Sequence, residues 1–186
     1  MVLALVCSSF LASAPVPEPD KPLVPWFVPR TLSLGLFINP PMVSPHLRLG
    51  WEAAILSQPR NELIWLFMLG TGGGVGVPRP MLTHWQHTAL VGLGYRSDHP
   101  VFHWGFHVAL GPLWYQATYL PGGFYKDESR VLGYIEGRLQ AGIRLAPHFR
   151  LAAYFGYASP FVVFNEQFPG NTYVGGIDTG VVLDWR

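Results

Sequence analysis

TYVGGIDTGVVLDWR, running from Thr172 to Arg186, alternates with a period of two. One face collects Tyr173, Gly175, Ile177, Thr179, Val181, Leu183 and Trp185, and the other collects Gly176, Asp178, Gly180, Val182 and Asp184. Successive side chains of a strand point to opposite sides, so this is a strand with one apolar face and one face of carboxylates and small residues. A soluble sheet buries its apolar face and solvates the other. Glycines and carboxylates instead fit a narrow hydrated interior, with the apolar face turned to lipid. One lipid-facing strand commits the rest of the chain, because backbone groups cannot be left unpaired in hydrocarbon and the sheet must close on itself. The remainder of the sequence is therefore expected to supply an even set of similar strands.

Composition agrees with that expectation. Charged residues make up 12% of the 186 residues and aromatics 15%, with 21 glycines and 18 prolines. Mean hydropathy is +0.24, yet no segment reaches the ~20 consecutive apolar residues of a membrane-spanning helix. A membrane barrel reconciles the two, since each strand spends only alternate residues on lipid. The formal net charge of +1 gives no electrostatic footprint for nucleic acid. A single cysteine, Cys7, excludes an internal disulfide framework and a thiolate metal site.

The chain divides into three parts. Residues 1–14, MVLALVCSSFLASA, form an apolar run ending in Ala12-Ser13-Ala14, the A-x-A pattern of a signal-peptidase site. No Lys or Arg precedes the run and Pro15 follows Ala14, so the cleavage site stays open. Residues 15–30 are dense in proline and read as a semi-rigid periplasmic lead-in. Residues 31–186 are the barrel.

Eight strands emerge in order. Thr31–Ile38 sets leucines against Ser33, Gly35 and Phe37, and NPPMVSP, residues 39–45, reads as a loop because a central strand does not tolerate prolines. His46–Ser57 alternates most clearly, with Leu47, Leu49, Trp51, Ala53 and Ile55 against His46, Arg48, Gly50, Glu52 and Ala54. Glu62–Val75 is apolar on both faces and fits worst. Thr83–Arg96, Val101–Trp114, Val131–Leu145 and Phe149–Ala158 follow, with loops at 77–82, 116–130 and 159–171. Connections after strands two, four and six are short, whereas those after one, three, five and seven are longer and richer in Pro and Gly. That is the pattern of a barrel with both termini in the periplasm. The expected fold is all-β: an eight-stranded antiparallel up-and-down transmembrane β-barrel. A soluble lipocalin-like barrel would need an apolar interior, and here the apolar face lies opposite the charges. Aromatics gather at strand ends, Tyr95, Phe102, Trp104, Phe149 and Trp185 toward the short turns and Trp85, Trp114, Tyr157 and Tyr173 toward the loops, as two girdles.

Eight strands enclose a lumen wide enough only for side chains. Inward positions place Arg48, Glu52, Glu136, Arg138 and Asp178 near mid-height, a set expected either to pair as a charged plug or to be hydrated by lumen water. Arg96, Arg144, Arg150 and Arg186 are expected around Asp184 at the short-turn rim. No cofactor or metal is expected. His103 and His107 share a strand face but lie ~13 Å apart, too far to share an ion. The glycine run at residues 70–76 lacks the Lys-Ser/Thr of a phosphate-binding loop. Ser44, His46 and Glu52 carry the residue types of a hydrolase in no recognisable order.

The whole of Thr31–Arg186 resembles small eight-stranded outer-membrane proteins such as the OmpA membrane domain, OmpX and OmpW. The closing strand with its near-terminal aromatic, Trp185, is similar to theirs. The likeness is one of architecture and brings no functional residues with it. It implies residence in the outer membrane of a Gram-negative bacterium, among lipid and lipopolysaccharide. The His-x-Ser pair of barrel lipid A deacylases is missing, since none of the seven histidines is followed two residues later by serine. The expected role is thus non-enzymatic, structural or interactive, through long external loops whose Phe124, Tyr125, Phe161, Phe164 and Phe168 offer aromatic surface to a protein partner. A narrow channel for small apolar solutes is the alternative, with a lipid A-modifying enzyme behind it.

Overall fold

A computed structural model describes residues 28–39, 42–75, 81–119, 127–162 and 174–185. Residues 1–27, and with them the expected signal peptide and most of the expected lead-in, lie outside the described residues, as do Phe124, Tyr125, Phe164, Phe168, Tyr173 and Arg186. Of Phe161 only the backbone, in a strand, is described.

Eight antiparallel strands form a closed barrel in chain order. They are β1 Thr31–Asn39, β2 Met42–Ser57, β3 Asn61–Val75, β4 Met81–Asp98, β5 Phe102–Tyr119, β6 Glu128–Ala146, β7 Phe149–Val162 and β8 Gly176–Trp185. The ring closes where β8 pairs with β1, from Thr31 opposite Asp184 to Ile38 opposite Ile177. Arg30 already takes part: its N–H donates to the Gly50 carbonyl and its carbonyl accepts from the Trp185 N–H. The seam depends on Gly35 facing Gly180. A Cβ on Gly180 would collide with the Leu34 carbonyl oxygen, and one on Gly35 with the Tyr154 hydroxyl, which reaches beneath the seam from inside.

Polarity is inverted relative to a soluble barrel. Leu47, Phe106, Leu139 and Ile143 point outward and are exposed, Leu139 at 62%. Arg138 and Asp178 are buried inside, at 4% and 0%. Both faces of β3 are apolar for a reason the lumen supplies. Its inward Ile64, Leu66 and Met68 are buried, and Leu66 and Met68 join Phe37, Leu90, Leu113, Tyr115, Leu132 and Tyr134 in an apolar layer inside the barrel.

Strand ends depart from the sequence reading in several places. NPPMVSP is largely strand, since β2 begins at Met42 and pairs Pro45 with Leu36. Pairing to β3 starts only at His46, so Pro45 sits at the edge-like tip where a missing N–H is tolerated. Consequently the β1–β2 connection is as short as the turns at the opposite end. Strands β5 and β6 run on to Tyr119 and back from Glu128, replacing the expected loop at 116–130 with a shorter one. Strand β7 continues to Val162, and β4 spans Met81 to Asp98. The closing strand starts later than expected, at Gly176, because Gly175 and Gly176 adopt positive φ of 85° and 111°.

These extensions make the wall uneven. Strands β4 and β5 are each 18 residues and β6 is 19, against 9 for β1 and 10 for β8. At ~3.3 Å per residue and ~40° tilt, the tall strands rise ~45 Å and the seam strands ~23 Å. The apolar band of a membrane barrel is ~25 Å. The β4–β6 side is therefore about 20 Å taller than such a band.

Candidate functional site in the barrel lumen

The inward faces of β2, β3, β4, β6, β7 and β8 deliver charges to the lumen, and the stagger of the sheet decides which meet. Arg48 on β2, Glu136 and Arg138 on β6, and Asp178 on β8 converge. Arg48 Nη1 lies 2.6 Å from Glu136 Oε2 and 3.3 Å from Asp178 Oδ2. Arg138 Nη2 lies 2.7 Å from Asp178 Oδ2 and its Nε 3.4 Å from Glu136 Oε1. Two cations thus meet two anions, all at 4% exposure or less. Buried charge is tolerable only with this kind of compensation.

Neutral groups complete the centre. The Tyr154 hydroxyl donates to Asp178 Oδ1 at 3.1 Å and lies 3.0 Å from His46 Nε2, itself 3.2 Å from Asp178 Oδ1. The Arg138 guanidinium lies 4.3 Å over the Tyr154 ring, and Arg48 5.1 Å over Phe37, whose ring stacks on His46 at 4.4 Å. His107 Nε2 stands 3.7 Å from Glu136 Oε1.

Glu52, expected in this group, belongs to a second one nearer the short turns. Its Oε2 is 3.0 Å from Arg96 Nη1, and the same guanidinium meets Glu62 at 3.1 Å and Asp184 at 2.9 Å. Arg150 joins through Asp98 at 2.7 Å and Asp184 at 3.5 Å. Of the rim arginines expected around Asp184, Arg96 and Arg150 are there, whereas Arg144 is exposed.

Neither metal chemistry nor a triad assembles among the described residues. No group of three or more His, Cys, Asp or Glu side chains could hold an ion. His103 and His107 go to different places, the first buried near the short-turn group and the second beside Glu136. Ser44, His46 and Glu52 are divided among three partners: Ser44 Oγ sits 2.8 Å from His84 Nε2, His46 meets Asp178 and Glu52 meets Arg96. The Ser44–His84 pair has nucleophile and base types, but His84 Nδ1 has no carboxylate behind it and both side chains are sealed in the wall at 3% and 1% exposure.

The lumen thus holds an apolar cluster that reaches alongside the charges, a balanced four-charge centre and, nearer the short turns, a carboxylate-rich group around Arg96. Tyr154, His46 and His84 were legible as inward polar residues, but nothing in the sequence announced their partners.

No protein-family model matches the chain, and no curated protein matches its sequence. Solved structures do. Neisserial surface protein A superposes with a TM-score of 0.52 at 11% identity, over 84% of this chain and 94% of that one. Ail, the attachment invasion locus protein of Yersinia pestis, in complex with the heparin analogue sucrose octasulfate, gives 0.49 at 10% identity over 83% and 92%. The outer membrane enzyme PagL gives 0.47 at 13% identity over 82% and 96%. The match to Neisserial surface protein A, together with the closed ring and its inverted polarity, makes the fold of this chain that of the small eight-stranded outer-membrane β-barrels.

Proposed function

We propose that this protein is a non-conducting, non-enzymatic barrel of the bacterial outer membrane that acts as a structural or interaction element through its loop end. The observation that carries the reading is the filled lumen. Arg48, Glu136, Arg138 and Asp178 cross-link β2, β6 and β8 through the barrel axis, and the apolar layer around Leu113, Tyr115 and Tyr134 lies in the same interior. A solute would have to separate charges paired at 4% exposure or less, which disfavours the channel alternative. The division of Ser44, His46 and Glu52 among separate partners disfavours hydrolysis. Partners in this reading are outer-membrane lipid, lipopolysaccharide and a protein met by the loops.

Two measurements test it. In planar bilayers the purified barrel is expected to give no conductance steps, and a reproducible unitary current would refute the plugged lumen. Extraction of the native membrane in mild detergent is expected to yield the barrel in a larger assembly. Migration as a lone species near 20.7 kDa plus its detergent would remove the stable protein partner.

A further inference from the structure

The outer surface is not uniform at the loop end. On β1, β2 and β8 the outward residues stay aliphatic to the top, with Leu36, Val43 and Ile177 exposed. On the tall side two neighbouring rungs change character. One runs Thr71, His87, Trp114, Val131 across β3 to β6, and the next runs Gly73, Trp85, Gln116, Ser129. Trp85 and Trp114 are 56% and 48% exposed, and Thr71, His87, Gln116 and Ser129 are exposed beside them.

Both indoles are held in place. Trp85 lies against the sheet over Gly73, where a Cβ would come within 2.9 Å of its ring. Trp114 donates its indole N–H to Ser129 Oγ at 2.6 Å and packs against His87, ring centroids 5.3 Å apart. Tyr157 on β7 is exposed too, at 62%, so an interfacial belt continues past this wall; the two indoles differ from it in being fixed among polar neighbours. Fixed aromatic faces edged with hydroxyl, amide and imidazole groups fit a ligand with apolar C–H faces and a rim of hydroxyls. Neither rung carries an Asp, Glu, Lys or Arg, and the nearest charges among the described residues, Asp127, Glu128 and Arg130, sum to −1, so the surface does not attract phosphate.

We propose that the β3–β6 wall at the loop end, centred on Trp85 and Trp114, is a docking surface for the neutral sugar rings of a glycolipid headgroup. The inference rests on the outer-membrane placement proposed above, because only a membrane-inserted barrel holds these rungs at headgroup height. Sugar rings would stack on the two indoles, with His87, Gln116, Ser129 and Thr71 bonding their hydroxyls. Prefixed rings make such stacking effective, since little side-chain freedom is lost on binding.

The test is lipid binding by the full barrel in detergent, counted by native mass spectrometry. The probes are digalactosyldiacylglycerol, deep-rough lipopolysaccharide and phosphatidylglycerol. Both sugar-bearing lipids are expected to outcompete phosphatidylglycerol. Trp85→Leu with Trp114→Leu should weaken sugar-lipid binding about tenfold while leaving phosphatidylglycerol unchanged. Ser129→Ala and His87→Leu, which leave both indoles present, should each weaken it about threefold and serve if the double variant fails to fold. Equal binding of all three lipids, preference for lipopolysaccharide and phosphatidylglycerol over the uncharged glycolipid, or indifference to these substitutions would overturn the proposal. Failure of the parent barrel to insert into bilayers at all would refute the membrane reading instead.

Discussion

Replacing Asp178 by Ala puts the plug to its sharpest test. Asp178 receives Arg138 through Nη2 at 2.7 Å and Nε at 3.0 Å, Arg48 at 3.3 Å and the Tyr154 hydroxyl at 3.1 Å. Its loss leaves two guanidiniums facing one carboxylate in a site with almost no solvent contact. Removing one partner of a buried ion pair costs ~3–5 kcal/mol, and two stranded cations place this change toward the upper end. Asp178→Asn keeps the shape and an acceptor for Tyr154 but not the charge, so a smaller loss of ~2–3 kcal/mol is expected. The pair Asp178→Leu with Arg138→Met restores one cation to one anion, Arg48 to Glu136. It should recover most of the loss, because a buried pair exchanged for apolar side chains is often neutral. Equilibrium urea unfolding in phospholipid vesicles, followed by tryptophan emission, reads all three. A cost below ~1 kcal/mol for Asp178→Ala, or a double variant no better than the single one, would mean that lumen water hydrates each charge separately and that the network does not hold the interior.

Arg96→Ala strands Glu52, Glu62 and Asp184 together, and the same unfolding assay should register a loss of ~3–5 kcal/mol. Gly180→Ala forces a methyl into the Leu34 carbonyl at the seam, so heat-modified gel mobility is expected to show the ring opening at lower temperature. Leu139→Arg, on an outward position of β6, should cost ~2–4 kcal/mol in vesicles if that position lies near the bilayer midplane. A neutral outcome there would contradict the lipid-facing assignment.

How far the sequence could be read followed from which quantities are local. Side-chain alternation is local, and it placed Leu139 outside and Arg138 inside, one residue apart. Where a strand stops is decided by its neighbours, so NPPMVSP looked like a loop although β1 lends Pro45 a partner. Burial on both sides hid the meaning of β3, whose Leu66 and Met68 fill the lumen. Stagger is the least local quantity of all. Glu52 lies on the same face as Arg48, yet the offset between β2 and β4 delivers it to Arg96. A rung through Gly74 of β3 brought Ser44 to His84, a pairing across 40 residues that no spacing could reveal.

The four-charge centre also bears on the order in which the molecule assembles. Glu136 and Arg138 share the sixth strand, Asp178 lies on the eighth along the rung Arg138–Gly156–Asp178, and Arg48 lies on the second, so the β6–β8 meander alone holds two carboxylates and one guanidinium of this centre. Pairing of neighbouring strands can proceed from either end, but the contact of Thr31 with Asp184 spans nearly the full described barrel and carries the largest loop entropy. Until that last edge joins, two carboxylates share one guanidinium and Arg48 of β2 is still to arrive. Charge neutrality thus arrives together with ring closure and rewards completion of the cylinder over any open sheet along the way.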